Sequence, residues 1–222
     1  MLLAVDTSTS WTGLALYDGT AVLGEICWTT HNHHTVELAP AVERLLRQSG
    51  VQASQLECLG VALGPGSFTS LRIGLALIKG MALCLKIPVV GIPTLDFLAA
   101  AVPPSDLPLA AVLQAGRGRL ALVWYRWLQG RWQAQSEPKV VQIEEFAAAI
   151  EQPSLVCGEL GPDERYSLAK KRKLIQLSSP AESARRPSFL AEMAWDSWKA
   201  GKIAEVVSLA PIYVHIGESI PS

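Results

Sequence analysis

The stretch GPGSFTSLRIGLALIKG, residues 64–80, decides the fold. Before it, LECLGVALG supplies an apolar run of strand length, Leu56 to Leu63, and after it IPVVGIP supplies another. From Leu71 to Leu85 apolar residues recur at helical spacing, and Ser67, Thr69 or Ser70 can cap the first turn. Strand, tight turn, helix and returning strand make a crossover, the unit that builds parallel sheets. A glycine turn entering a helix is also how many phosphate sites begin, because backbone N–H groups point outward there. The offsets do not fit, however. A P-loop needs G-x-x-x-x-G-K-[ST], which Gly64, Gly66 and Lys79 miss, and a nucleophile elbow needs G-x-S-x-G, whereas Ser67 follows Gly66 directly. Gly64, Pro65, Gly66, Ser67 and Thr69 therefore read as a structural loop.

Gly74 and Gly80 lie inside the helix, each costing about 1 kcal/mol relative to alanine. That cost suits a close approach by another backbone. Ala76, Gly80 and Cys84 form a small-residue row, and the helix carries more apolar positions than one face can bury. This implies two packing faces, one for the chain's own sheet and one for a partner. Leucine at Gly74 or Gly80 is expected to leave the fold intact and weaken association.

Toward the N-terminus, LLAVDTS and the runs on either side of Asp18-Gly19 read as a meander of three strands, because Asp-Gly between alternating segments marks a hairpin. TVELAPAVERLLRQ, Thr35 to Gln48, places Val36, Leu38, Ala39, Val42, Leu45 and Leu46 on one stripe, with Pro40 expected to kink the helix. Toward the C-terminus, PPSDLP, Pro103 to Pro108, is the best boundary, giving domains 1–102 and 103–222. Beyond that boundary the chain repeats its opening order, so that Gln114 falls where Asp6 stood, each eight residues before a leucine of the next strand, Leu14 or Leu122. VVQIEEFAAAI reads as a helix, SLVCGE as a strand, AKKRK as a basic turn, and the segment from Pro187 to Gly201 as a final helix able to pack back on the first domain.

Composition narrows the function classes. Half of the 222 residues are apolar and the formal net charge is -1, which indicates a globular chain with no global attraction to nucleic acid or membranes. The apolar segment Leu71 to Ile92 is broken by Arg72, Lys79, Lys86 and Pro88, so no membrane span or signal peptide is expected, and a cytoplasmic location is inferred. Cys27, Cys58, Cys84 and Cys157 sit far apart in apolar stretches and are expected to be buried, reduced thiols. His31, His33 and His34 are placed in a loop before the first helix, with no second ligand cluster to make a metal site. Lys170 to Lys173 read as a solvated turn, and Trp195 and Trp198 as one helix face.

Two α/β domains, each opening with a strand hairpin and the first strand ending in Asp-Thr-Ser, resemble the actin-like/Hsp70-like (ASKHA) duplicated two-domain fold with mixed sheets. In active members of that superfamily, acidic residues and glycines at the two hairpin turns hold magnesium and nucleotide phosphates. Here Asp6, Thr7 and Ser8 occupy the first turn, with Ser8 where a glycine is common, and the neutral Gln114 opens the second. These four are vestigial phosphate-site candidates, and no cofactor, metal or catalytic residue is expected. An active small-molecule kinase of the superfamily is the alternative, but it would need a second carboxylate near Gln114 and a late glycine-rich adenosine loop.

The segments LLAVDTSTSWTGLALYDG, HTVELAPAVERLL, GVALGPGSFTSLRIGLALIKGMAL and IPVVGIPTLDFLA resemble, in order, the first half of the bacterial TsaB (YeaZ) family. The second half is similar more loosely, and PIYVH stands where the family ends in Pro-x-Tyr-x-Arg. The resemblance implies a non-catalytic scaffold. Such a chain binds TsaD, which supplies the metal site and chemistry. With TsaE the two transfer a threonylcarbamoyl group, made by a separate synthase, to the adenosine beside the anticodon, so tRNA is met through the complex. It also implies pairing, with TsaD or as a homodimer, through the helices Thr35–Gln48 and Leu71–Leu85. Leu38, Val42, Leu45, Leu71, Gly74, Leu77, Ile78 and Met81 are the expected partner-binding residues.

Overall fold

The computed structural model describes residues 1–31, 33–116 and 118–214. Its first sheet has five strands in the order β3-β2-β1-β4-β5. The meander β1 (Leu2–Asp6), β2 (Trp11–Tyr17) and β3 (Val22–Thr29) is antiparallel, while β1, β4 (Cys58–Ala62) and β5 (Val89–Ile92) run parallel. Between them lie α1 (His34–Gln48) and α2 (Phe68–Leu85), and α3 (Thr94–Ala100) comes after β5. The second sheet repeats this plan. β6 (Leu109–Gln114) and β7 (Arg119–Leu128) are antiparallel, β8 (Arg131–Ala134) extends that side, and β10 (Ser154–Gly158) and β11 (Ile175–Leu177) add in parallel to β6. β9 (Lys139–Gln142) also pairs with β7, so VVQ is strand, and only Ile143–Ala149 forms the expected helix, here α4. α5 (Pro162–Ala169) and α6 (Pro187–Lys199) follow.

Strand alternation divides the packing. Leu3, Val5, Leu14 and Leu16 face α1 and α2, where Leu38, Val42, Leu45, Leu75, Ile78 and Ala82 meet them. Leu2, Ala4 and Ala15 point the other way, onto Phe97 of α3 and Leu190, Ala191 and Ala194 of α6. The last helix thus covers the first sheet, although the chain reaches it through the second. Each such fully buried large aliphatic side chain contributes about 1.5–3 kcal/mol. In the second sheet, Leu109, Ala111 and Leu113 pack on Leu95, Leu98 and Ala99 of α3, while Ala110 and Val112 pack on Phe146 and Leu168 of α4 and α5. α3 therefore belongs to both cores.

The glycine loop is held by neighbours within the chain. Ser67 caps α2 by accepting from the Ser70 N–H, and Thr69 lies in the helix rather than in the loop. A Cβ on Gly66 would overlap the Ser8 carbonyl oxygen, to which the Ser67 N–H donates at 2.6 Å. One turn into the helix, a Cβ on Gly74 would overlap Thr7 Oγ1. The expectation that leucine at Gly74 spares the fold is therefore wrong, because the first strand's end fills that space. Gly80 has nothing within 4 Å of its notional Cβ.

Several other placements differ from expectation. Leu38, Val42, Leu45, Leu71, Gly74 and Ile78 face inward and are buried, and Leu77 and Met81 are partly buried, because the stripe that meets the sheet is the one with the largest aliphatic side chains. α1 runs on through Pro40, which is exposed, so water can serve the carbonyl that its ring leaves without a donor. His34 is the first residue of α1 and is buried, with Nε2 3.2 Å from the Thr9 carbonyl oxygen, whereas His31 and His33 are exposed. Cys84 is exposed on α2 and Cys27 is only half-buried on β3, so burial of all four cysteines holds only for Cys58 and Cys157. His215 of the PIYVH segment lies outside the described residues.

Gly74→Ala is expected to destabilise the chain by about 1–3 kcal/mol in a urea titration, through overpacking against Thr7. Gly80→Ala is expected to be neutral or to stabilise by up to about 1 kcal/mol, since it only restores helix propensity. Cysteine alkylation followed by mass spectrometry should find Cys84 modified first. Burial pushes the Cys27 thiol up to about 11 and those of Cys58 and Cys157 up to about 12, so half-buried Cys27 reacts after Cys84, and Cys58 and Cys157 stay protected until the chain unfolds.

Candidate functional site

The ends of β1 and β6 put Asp6 and Gln114 at the carboxyl edges of the equivalent central strands of the two sheets, and Glu159 links the two ends by contacting Thr9 on one side and Gln114 on the other. At the first turn, Asp6 Oδ1 accepts from the Ser8 N–H at 2.8 Å, which closes a tight local loop. Thr7 Oγ1 donates to the Ser70 carbonyl oxygen at 2.8 Å, tying the strand end to α2. Ser8 Oγ lies 2.7 Å from Thr94 Oγ1, and Thr94 in turn accepts from the Gly64 N–H at 3.0 Å. The hydroxyls of Thr7 and Ser8 are thus committed to the α2 and α3 starts. At the second turn, Gln114 Nε2 donates to Glu164 Oε1 at 3.2 Å.

The space between the turns is filled by a side chain that sequence reasoning misses. Arg185, 1% exposed, donates from Nε to Asp6 Oδ2 at 2.8 Å. Its Nη2 donates to Thr9 Oγ1 at 3.0 Å and to the Trp11 carbonyl oxygen at 2.7 Å, and its Nη1 pairs with Glu159 Oε1. Thr9 Oγ1 donates to the same Glu159 oxygen at 2.7 Å, and Trp11 Nε1 donates to the Arg185 carbonyl oxygen at 3.0 Å. Burial alone would lower the guanidinium's proton affinity, but the charges of Asp6 and Glu159 outweigh it and raise it. Arg185 therefore stays charged.

The only signal for this cluster in the sequence is compositional. SPAESARRPS carries two arginines just before a helix, and nothing in the pattern separates a buried one from a solvated one. Arg186 does take the surface role, pairing with Glu25 at 2.9 Å. Glu159, the second-domain carboxylate, sits at the end of β10 rather than at the hairpin turn where Gln114 stands.

Beyond Arg185 the cleft keeps a cavity of about 570 Å³ bounded by Trp11, Glu159, Pro162, Arg165 and Pro180. A larger groove, about 670 Å³, lies elsewhere, between α3, β8 and α6. Among the described residues there is no group of three or more His, Cys, Asp or Glu that could hold a metal ion. In the basic turn, Lys171 Nζ donates to the carbonyl oxygens of Ala148 and Ile150 at 3.3 and 3.4 Å.

Two duplicated mixed sheets with facing turns between them define the actin-like class. A ROK hexokinase from Thermus thermophilus has the same fold at a TM-score of 0.51 and 13% identity, covering 90% of this chain and 99% of the hexokinase. The family model for TsaD, tRNA N6-adenosine threonylcarbamoyltransferase, matches residues 24–193, and the chain belongs to that family. It is similar over 98% of its length, at 28% identity, to the tRNA threonylcarbamoyladenosine biosynthesis protein TsaB of Bacillus subtilis, of which 95% is covered. YeaZ from Pseudomonas aeruginosa superposes with a TM-score of 0.78 at 24% identity, covering 96% of this chain and 99% of that one.

Removing the guanidinium would leave Asp6 buried and unpaired. Arg185→Met is expected to cost about 3–5 kcal/mol in a denaturant titration, and Arg185→Lys less, because lysine keeps the charge but loses the fork that reaches four acceptors.

Proposed function

We propose that this chain is a non-catalytic subunit of a threonylcarbamoyl-transfer assembly. It binds TsaD, acts with TsaD and TsaE, and meets tRNA through them. The observation that carries the non-catalytic part is the Asp6–Arg185 ion pair. The carboxylate that a nucleotide's magnesium would need is neutralised by the chain's own guanidinium, and the matching turn offers the amide of Gln114. A kinase would have to displace a residue withdrawn from water to bind its phosphates. Similarity to TsaB supplies the reaction.

The docking face is the outer side of α1 and α2. These helices pack against each other on one face of the first sheet. Val36, 68% exposed, has Ala39 and Pro40 beside it on α1, and Leu83, 67% exposed, shares a side of α2 with Ala76, Gly80 and Cys84, so both helices leave apolar surface in solvent, although Glu43, Arg44 and Arg47 are exposed further along α1. α2 is long and apolar enough to span a bilayer by length and composition alone, yet its inner face is taken by the sheet. An outer apolar face beside a packed inner one suits a protein partner that also presents helices. The contact residues of this proposal are therefore one helical step from the inward residues that the sequence pattern singles out.

Co-elution with the cognate TsaD on size exclusion tests the reading. The chain should form a stable complex, and Leu83→Glu and Gly80→Arg should each weaken it at least tenfold while leaving the circular dichroism spectrum unchanged. Undisturbed complexes in both variants would place the interface elsewhere. No association, together with ATP hydrolysis by the chain alone, would overturn the scaffold reading.

A further inference from the structure

We infer that Arg185 and Glu159 form an interdomain bolt that holds the two domains in one closed arrangement without any nucleotide. This inference concerns the chain alone and stands whether or not the proposed partner is correct. Among the described residues the chain passes between the sheets twice, at 101–108 and at 178–186, and α3 packs into both cores through Phe97 on one side and Leu95, Leu98 and Ala99 on the other. Two crossings beside a shared helix form a hinge. A rotation about it opens the cleft between the ends of β1 and β6.

The polar groups that resist this opening converge on Glu159. Arg185 is anchored to the first domain through Asp6, Thr9 and the Trp11 carbonyl, and its remaining nitrogen reaches Glu159 of the second. Thr9, also of the first domain, donates to the same carboxylate oxygen. Glu159 is fixed in turn, since its N–H donates to the Val112 carbonyl oxygen at 3.0 Å. Opening the domains would separate a carboxylate from two donors and leave a buried guanidinium short of one partner. In a two-domain fold of this kind, a ligand bound between the turns stabilises whichever arrangement it contacts on both sides. Here a side chain makes those contacts, so the closed arrangement is the ground state.

The test uses the full chain with Cys27→Ser, spin-labelled at exposed Cys84 on α2 and at a Tyr166→Cys substitution on exposed α5, and compares pulsed-EPR distances. The parent should give one narrow distance distribution, unchanged by magnesium ATP. Glu159→Ala, which leaves the Asp6–Arg185 pair in place, should broaden it or add a second, displaced population. Glu159→Gln, which keeps an acceptor for Arg185 and Thr9, should fall between the two. A Glu159→Ala distribution superimposable on the parent's would overturn the bolt, as would a parent distribution that shifts on adding magnesium ATP.

Discussion

A guanidinium and a carboxylate, both withdrawn from water, set the terms for the rest of this molecule. Neither Arg185 nor Asp6 could be tolerated at its depth alone, because an unpaired buried charge costs several kcal/mol. Their pairing requires the end of β1 and the approach to α6 to meet, although the two lie 179 residues apart in sequence. That meeting fixes where α6 begins, and α6 then closes the face of the first sheet opposite α1 and α2. The pair is thus a topological constraint as much as an electrostatic one, drawing the C-terminal helix back from the second sheet onto the first.

The same strand end organises the other side of the sheet by contact rather than charge. Thr7 bonds to the α2 backbone and occupies the space above Gly74, while the Ser8 carbonyl receives Ser67 and excludes a side chain from Gly66. The glycines of the 64–80 stretch answer a steric demand from residues 7 and 8, and the hydroxyls of those residues answer α2 and Thr94. A turn that in outline looks built for phosphate is closed by the chain's own groups. The phosphate-loop likeness and its failure have one cause, a strand-to-helix crossover in which the N–H groups of Gly64, Ser67 and Ser70 donate to protein oxygens.

Much of the architecture is legible because it rests on local periodicity. The β1–β3 meander, the α2 crossover and the repeat of that order after Pro108 all derive from alternation, turn residues and capping. The site is half legible. Asp6 and Gln114 can be matched as equivalents, since a duplicated strand order maps one onto the other, but Arg185 and Glu159 come from loops with no pattern to mark them. The inward or outward sense of the α1 and α2 stripes escapes the sequence for a related reason. A helix that is apolar on most sides gives a weak angular signal, so periodicity identifies the helix without saying which stripe meets the sheet. The strand partner settles it, through Leu3 and Val5 on one face and Leu2 and Ala4 on the other.

That ambiguity in α2 reflects two sides under different constraints. Its inward side uses Leu71, Leu75 and Ile78 and must admit Thr7 at Gly74, so bulk and absence of bulk are both fixed by the chain itself. Its outward side keeps Ala76 and Gly80 small although nothing within the chain crowds Gly80. A helix that accepts the propensity cost of glycine with no internal contact to justify it is less stable than its own fold requires. Along the flank, the segment after α6 returns beside the helix: Lys79 donates to the Val207 carbonyl oxygen at 3.0 Å, and Arg72, stacked 3.6 Å over Phe68, donates to the Tyr213 hydroxyl at 3.1 Å. These contacts engage the two cations of α2 and leave small and apolar residues as its outward surface. The docking proposed above would use that surface, since small residues let another backbone come close.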